Sequence, residues 1–201
     1  MLQIKDLTIT HLKDFRTIIK DFSLSLGRGD KAVIIGEEGN GKSTLLKLIY
    51  DEKLVNDYVE YTGEIIRNNV RFGYLAQELS PEKKAQSVFE FLSEVPGYYD
   101  LSPKELSDIA KTLNFRPDMF YSDQNVGSLS GGEKVKLQFA GILMIRPDVL
   151  LLDEPSNDID IETLEWLEKF INSCGLPILF VSHDETLIER TANVIIHIEQ
   201  V

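Results

Sequence analysis

Residues Gly36 to Ser43 have the composition and spacing of a loop that can hold phosphate groups. They read GEEGNGKS and fit the pattern G-x-x-x-x-G-K-S, between a β-branched run and an apolar helical pattern. Glycines let backbone N–H groups turn toward an anion, and the N-terminal end of the following helix attracts the same charge. The expected triphosphate-binding residues are Gly36, Glu37, Glu38, Gly39, Asn40, Gly41, Lys42, Ser43 and Thr44.

Within this set, two side chains have chemistry of their own. Lys42 can reach the β- and γ-phosphates of a bound nucleotide, and the Ser43 hydroxyl can bind Mg²⁺. The alternative is a glycine-rich turn before an ordinary helix. Strand, loop and helix follow one another in the order that the phosphate-binding motif requires, so we expect a nucleotide-triphosphate site.

A pair of acids, Asp153 and Glu154, follows an apolar run from Val149 to Leu152. Such a run is typical of a central parallel strand that is buried on both faces. Open α/β sheets bind ligands at the carboxyl ends of these strands. We therefore expect Asp153 to bind Mg²⁺, directly or through water, and Glu154 to act as the general base on the attacking water.

Gln77 and His183 stand where two other strand-like segments end. A neutral amide at such a junction can contact a metal or a water and change position cheaply. A neutral imidazole can hydrogen-bond to a γ-phosphate or to the catalytic water, although a lone histidine is more often structural. Beside the phosphate loop and the acid pair, we expect both residues to be catalytic and Gln77 also to contact the metal.

The segment LSGGE, from Leu129 to Glu133, opens an apolar helical pattern. Ser130 and Glu133 match a capping box, which accounts for these two residues structurally. Capping does not account for Gly131 and Gly132, because each glycine in a helix costs about 1 kcal/mol relative to alanine. Bare N–H groups and a serine hydroxyl at a helix start predict a second anion site.

Composition places the chain among ordinary globular proteins. It has 201 residues, of which 43% are hydrophobic and 27% charged, enough for one domain with a buried core. The net charge of −12 argues against unaided binding to nucleic acid or to anionic lipid, and we expect no direct DNA binding. One cysteine, Cys174, and the lack of a bilayer-length apolar run fit a cytoplasmic protein.

The order of patterns predicts an α/β fold. Alternating segments at Leu2–Ile9 and Ile18–Leu26 predict an antiparallel edge hairpin, and the loop between them carries Phe15. This ring would either stack on a nucleotide base or cover the sheet edge, and we assign it to the base. Helical patterns between 78 and 128, starting at Ser87, Ser102 and Pro117, predict a small helical sub-lobe. A later helix places Ile161, Leu164, Leu167 and Ile171 in one apolar stripe, with Trp166 as a packing residue.

The ordered set GEEGNGKS, Gln77, LSGGE, LLLDEP, SNDID and His183 closely resembles the nucleotide-binding domain of ATP-binding-cassette (ABC) proteins. The resemblance implies a phosphate-loop NTPase core with a mostly parallel sheet (1–77 and 129–201), an antiparallel β subdomain and the helical sub-lobe. It also implies ATP and Mg²⁺ as ligands, ATP hydrolysis, and two cassettes that close head-to-tail. The partner's ATP would contact Leu129, Ser130, Gly131, Gly132 and Glu133, while Asn157 and Asp160 would line the dimer interface.

The stretch DEPSNDIDIETLEWLEKF looks most like the F subfamily, soluble twin-cassette proteins that act on ribosomes in translation or in antibiotic resistance. Asp158 and Ile159 depart from its usual N-H-L-D sequence. We expect the chain to be the first half of a longer twin-cassette protein, with the ribosome as partner. The alternatives are a motor subunit of a membrane transporter that docks a permease near Gln77, and a clamp that hydrolyses ATP slowly.

Overall fold

The computed structural model describes residues 2–199, in which strands dominate the N-terminal part, helices dominate the middle, and strands alternate with helices from Val149 onward. The strands, in chain order, are β1 (Leu2–His11), β2 (Thr17–Leu26), β3 (Lys31–Ile35), β4 (Val59–Ile66), β5 (Phe72–Leu75), β6 (Val149–Asp153), β7 (Ile178–Val181) and β8 (Val194–His197). The helices are α1 (Lys42–Tyr50), α2 (Pro81–Ala85), α3 (Val88–Ser93), α4 (Pro103–Thr112), α5 (Gly131–Met144), α6 (Ile161–Ser173) and α7 (Glu185–Thr191).

Strands β1, β2 and β4 form an antiparallel sheet in the order β2-β1-β4. The predicted hairpin of β1 and β2 is confirmed, with Leu2 opposite Leu26. Gly63 of β4 has φ +97°, and a Cβ atom there would lie 2.5 Å from the carbonyl oxygen of Asp6. Only glycine allows β4 to approach an irregularity of β1 this closely.

Strands β5, β6, β7, β3 and β8 form a second sheet in that order, and every neighbouring pair is parallel. Alternate residues of β6 enter two different cores: Leu150 and Leu152 pack with α5 and α6, whereas Val149 and Leu151 pack with α1 and the antiparallel sheet. Burial on both faces explains the uninterrupted apolar run that the sequence shows. The fold is the predicted α/β arrangement, and all these strands end at one edge.

Residues 78–128 contain α2, α3, α4 and three short 3-10 segments. The predicted starts at Ser87 and Ser102 are confirmed, because each serine caps its helix in a complete capping box. Pro117 begins a 3-10 helix rather than an α-helix. Apolar side chains of this segment, such as Phe120, join the core beneath α5.

One prediction about α6 is wrong. Leu164, Leu167 and Ile171 face the core, but Ile161 is 77% exposed. Ile161 is the first residue of α6, directly after the cap Asp160, and its side chain does not belong to either core cluster. Trp166 is a packing residue as predicted, since its ring is buried and its Nε1–H donates to the carbonyl of Thr112 at 2.8 Å.

Within residues 2–199 no helix combines the length and the apolar character needed to cross a membrane.

Candidate nucleotide site

The loop between β3 and α1 leaves the start of α1 uncapped. Gly41, the cap residue, has φ +79°, and no side chain among the described residues caps this helix. A Cβ atom at Gly41 would lie 3.0 Å from Ile18, and one at Gly36 would lie 2.4 Å from the carbonyl oxygen of Ile198. The glycines are therefore required by the backbone angle and by close packing. The first N–H groups of α1 face the loop without a side-chain acceptor in residues 2–199.

Lys42 is only 6% exposed and lies folded across the loop. Its ammonium donates to the carbonyl oxygens of Gly36 at 2.8 Å and of Glu37 at 2.7 Å. An ammonium group has three donors, so one remains for an anion in the loop. The side-chain amide of Asn40 donates to the carbonyl of Ile198 and anchors the loop to the chain after β8, and the assignment of Asn40 to ATP stays a prediction.

Ser43 and Asp153, the two residues predicted to bind Mg²⁺ through a hydroxyl and a carboxylate, lie in contact although 110 positions separate them. The Ser43 hydroxyl donates to Asp153 Oδ1 at 2.9 Å, and the Tyr74 hydroxyl donates to Oδ2 at 3.3 Å. Burial raises the pKa of Asp153, and these two hydrogen bonds oppose that rise. Adjacent hydroxyl and carboxylate oxygens are the ligands that Mg²⁺ prefers, so the pair fits this ion.

Glu154 has one free oxygen at the buried end of the site. Its Oε1 lies 3.2 Å from His183 Nε2, whereas Oε2 is buried and has no hydrogen-bond partner within residues 2–199. Burial raises the pKa of Glu154, and the neighbouring His183 acts in the opposite direction. Its φ of +49° is strained for a side chain of this size. A buried carboxylate oxygen without a donor fits a carboxylate that binds a water molecule.

An open cavity of about 760 Å³ is lined by Lys42, Ser43 and Glu154, whereas Asp153 lies behind Ser43 and does not belong to the lining. Two predicted residues, Gln77 and His183, line it together with the phosphate loop, and so does Asn157. Its lining is His11, Arg16, Ile18, Glu38, Gly39, Gly41, Lys42, Ser43, Thr44, Gln77, Glu154, Asn157, Val181 and His183. Phe15 does not belong to this lining; it is 77% exposed on the turn after β1, and its assignment to a base stays a prediction.

Sequence reasoning missed His11, Arg16, Ile18 and Tyr74 as residues of this site. Arg16 directly follows Phe15, so a signal existed there in the form of a cation beside the aromatic residue. Tyr74 gives no such signal, because its hydroxyl meets Asp153 only when β5 and β6 pair.

The LSGGE segment lies at the start of α5 and does not line the cavity of the phosphate loop. Ser130 and Glu133 form a complete capping box, and the Ser130 hydroxyl donates to Glu133 Oε2 at 2.9 Å. A Cβ atom at Gly131 would lie 1.8 Å from the carbonyl oxygen of Asp158. One at Gly132 would lie 2.3 Å from Thr163 Oγ1.

This packing corrects the argument made from the two glycines. Their presence does not require a ligand, because contact with the loop before α6 and with Thr163 in its first turn already disfavours any larger residue. That loop holds the predicted interface residues Asn157 and Asp160. Asp160 caps α6, accepting from the N–H of Thr163 at 2.8 Å, and this hydrogen bond lowers the pKa of Asp160.

The ABC transporter family matches residues 19–157 of the chain. The chain belongs to this family of ATPase domains. ATP hydrolysis is characteristic of the family, its domains bind ATP, typically with Mg²⁺, and its cassettes dimerise.

Several curated relatives are much longer than this cassette. It is 36% identical to ATP-binding protein Uup of Buchnera aphidicola over 92% of its own length and 30% of the relative's. It is also 36% identical to ABC transporter F family member 5 of Arabidopsis thaliana, over 92% and 26% of the two chains. A putative ABC transporter ATP-binding protein of Methanosarcina acetivorans is 30% identical over 94% and 76%. The cassette thus spans about a third or less of the first two relatives.

Solved structures confirm the fold. An ATP-binding subunit of an ABC transporter superposes with a TM-score of 0.78 at 21% identity, over 98% of this cassette and 85% of that chain. A bacterial ABC transporter cassette solved as a dimer gives 0.76 at 20% identity, over 100% and 95%.

Proposed function

We propose that this cassette binds ATP with Mg²⁺ in the cavity of the phosphate loop and hydrolyses it. Lys42 would bind the β- and γ-phosphates, while Ser43, Asp153 and Gln77 would hold the metal, which neutralises charge on the phosphates. The observation that carries the proposal is the unpartnered, buried Oε2 of Glu154 beside His183. This oxygen can accept a proton from an attacking water, and its raised pKa increases its strength as a base.

The position of LSGGE supports a head-to-tail pair of cassettes. Within one chain, Ser130, Gly131 and Gly132 do not line the cavity that holds Lys42. A second cassette, in the same natural protein or in a homodimer, would place this segment on the ATP of the first, with Asn157 and Asp160 at the interface. ATP would then favour the closed pair because only that state makes both sets of contacts.

For the biological role, we propose a ribosome-associated factor of the F subfamily in the cytoplasm. Supporting relatives are Uup, ABC transporter F family member 5 and Elongation factor 3 of Pneumocystis carinii, the last 30% identical over 92% of the cassette and 17% of its own length. The relative from Methanosarcina acetivorans, of which the cassette covers 76%, favours a second candidate, the motor subunit of a membrane transporter.

One experiment separates the two candidates. In the natural full-length protein, Glu154→Gln should bind ATP, lose about 10²-fold or more of its turnover, and co-sediment with ribosomes in ATP. Lys42→Ala in the same protein serves as the control, because a variant that binds ATP weakly should not be retained on ribosomes by ATP. A variant that stays off ribosomes and co-purifies with a multi-span membrane protein from detergent extracts would favour the transporter. Unchanged turnover of Glu154→Gln would remove Glu154 from the base role.

A further inference from the structure

Gln138, in the middle of α5, makes a two-point contact with the backbone at the end of β5. Its Oε1 accepts from the N–H of Ala76 at 3.2 Å, and its Nε2 donates to the carbonyl of Ala76 at 3.4 Å. A side-chain amide carries both N–H donors and an acceptor oxygen, so it can pair with the N–H and the C=O of one residue as a neighbouring strand would. Among the described strands, β5 is the edge of the parallel sheet and has no strand partner on its outer side.

The residue held in this way directly precedes Gln77. Ala76 separates the last residue of β5, Leu75, from Gln77, which lines the nucleotide cavity. Gln77 also lines a smaller cavity of about 230 Å³, together with Gly131 and Gln138. The contact at Ala76 therefore lies between a cavity-lining residue and the helix that begins with the LSGGE glycines.

Packing along β5 makes this contact part of a continuous seam. A Cβ atom at Gly73 would lie 2.5 Å from Ile142 Cγ2, so β5 and α5 touch closely one helical turn beyond Gln138. Leu137, Phe139 and Ala140, next to Gln138 in the sequence, are fully buried and belong to the core. A polar side chain beside this apolar surface is stabilised because Ala76 pairs with its oxygen and with one of its N–H groups.

We propose that Gln138 is a positioning residue that links Gln77 to the signature helix α5. A change of the backbone at Gln77 would be transmitted to α5 through Ala76, and a displacement of α5 would withdraw Gln77 from the metal. The inference rests on the proposed function, because it assigns the signature of α5 to a second ATP. It gives this chain a direct link between its own site and the one that it completes in the partner cassette.

The test uses the natural full-length protein with Gln138→Leu, which keeps the volume and removes both hydrogen bonds, and with Gln138→Glu, which keeps an acceptor and loses the donor. The matched control is Gln124→Leu, because Gln124 makes one side-chain hydrogen bond, to Ser128 at 3.4 Å, on the exposed surface of the sub-lobe. Each variant is also made in a Gln77→Ala background. The ATP dissociation constant, kcat, KM and the thermal midpoint are measured for all.

We expect Gln138→Leu to reduce kcat about tenfold with an ATP dissociation constant within about twofold of the parent, because the phosphate loop is untouched. In the Gln77→Ala background the same substitution should change kcat by less than about twofold, since the residue through which it acts is gone. Gln138→Glu should fall between the parent and the leucine variant, and Gln124→Leu should match the parent.

If the losses in kcat of Gln138→Leu and Gln77→Ala multiply in the double variant, the proposal is overturned, because a merely structural role of Gln138 would act independently of Gln77. Full kcat in a folded Gln138→Leu or Gln138→Glu variant would overturn it too. Full kcat in Gln77→Ala would also reject it. The proposed ATPase function would still stand if Lys42→Ala and Glu154→Gln behave as expected.

Discussion

The helices α1 and α5 start in opposite ways. Gly41 leads into α1 with left-handed backbone angles and no side-chain cap, so the first N–H groups of this helix remain open within the described chain. Ser130 leads into α5 with a complete capping box in which Glu133 takes both the hydroxyl and the backbone N–H of Ser130. One helix start is open to an anion, and the other is closed by its own side chains.

The difference between the two helix starts indicates which of them can bind an anion in a single chain. At α1, an anion meets unpaired N–H groups and the spare donor of Lys42, and it displaces no protein acceptor. At α5, an anion must first take the Ser130 hydroxyl from Glu133, and the glycines are already needed for packing against Asp158. The site proposed at α1 is thus preformed, whereas the site proposed at α5 would depend on what a second cassette brings to it.

Removing the cation from the open helix start should have the largest effect. We expect Lys42→Ala to weaken ATP binding by about 100-fold or more, because a charge-assisted contact to phosphate is lost inside a buried loop. Isothermal titration of the single cassette measures this. The comparison variant is Lys134→Ala at the start of α5, for which we expect a change within about twofold; equal losses at both lysines would refute the contrast.

The second largest effect is expected from a methyl group added at the closed start of α5. Gly131→Ala must displace the carbonyl of Asp158, so we expect a loss of about 1–3 kcal/mol in the free energy of unfolding. Denaturant titration measures this loss. The matched variant is Gly141→Ala in the same helix, where the nearest atom is Val95 Cγ2 at 3.2 Å and alanine should cost far less. A wild-type midpoint for Gly131→Ala would show that the loop adapts freely.

At the open helix start, the acid that meets Ser43 should reduce the stability of the nucleotide-free protein. Burial raises the pKa of Asp153, so the folded state binds this proton more tightly than the unfolded chain does. The stability gained from protonation is present at acidic pH and is lost as the pH rises through the folded pKa. At neutral pH, Asp153→Asn should therefore raise the thermal midpoint by about 2–4 °C, the shift that 1 kcal/mol produces in a domain of this size.

Calorimetry of both proteins between acidic and neutral pH tests this sign. The gain from Asp153→Asn should shrink as the pH falls, because the wild-type carboxyl then becomes protonated. Mg²⁺-dependent turnover should be lost in the same variant. A gain that grows on acidification would contradict the effect of burial.

Loss of a single cap should have the smallest effect on stability. Ser130→Ala and Ser102→Ala remove the same capping box from α5 and α4, so each should cost about 1 kcal/mol in the free energy of unfolding. Only Ser130→Ala should reduce ATP turnover in the paired cassettes. If both variants turn over ATP at the wild-type rate, Ser130 is a cap and nothing more.

The sequence alone determined the phosphate loop, the acid pair, the capping boxes and the apolar strands that end beside them. These features depend on backbone angles and on neighbours a few positions away, so glycine spacing, S-x-x-E and β-branched runs reveal them directly. Tertiary structure decided the contact of Tyr74 with Asp153, the hold of Gln138 on Ala76, the exposure of Ile161 and the packing reason for Gly131. Each depends on which elements, distant in the sequence, pack side by side, and local sequence patterns do not predict such contacts.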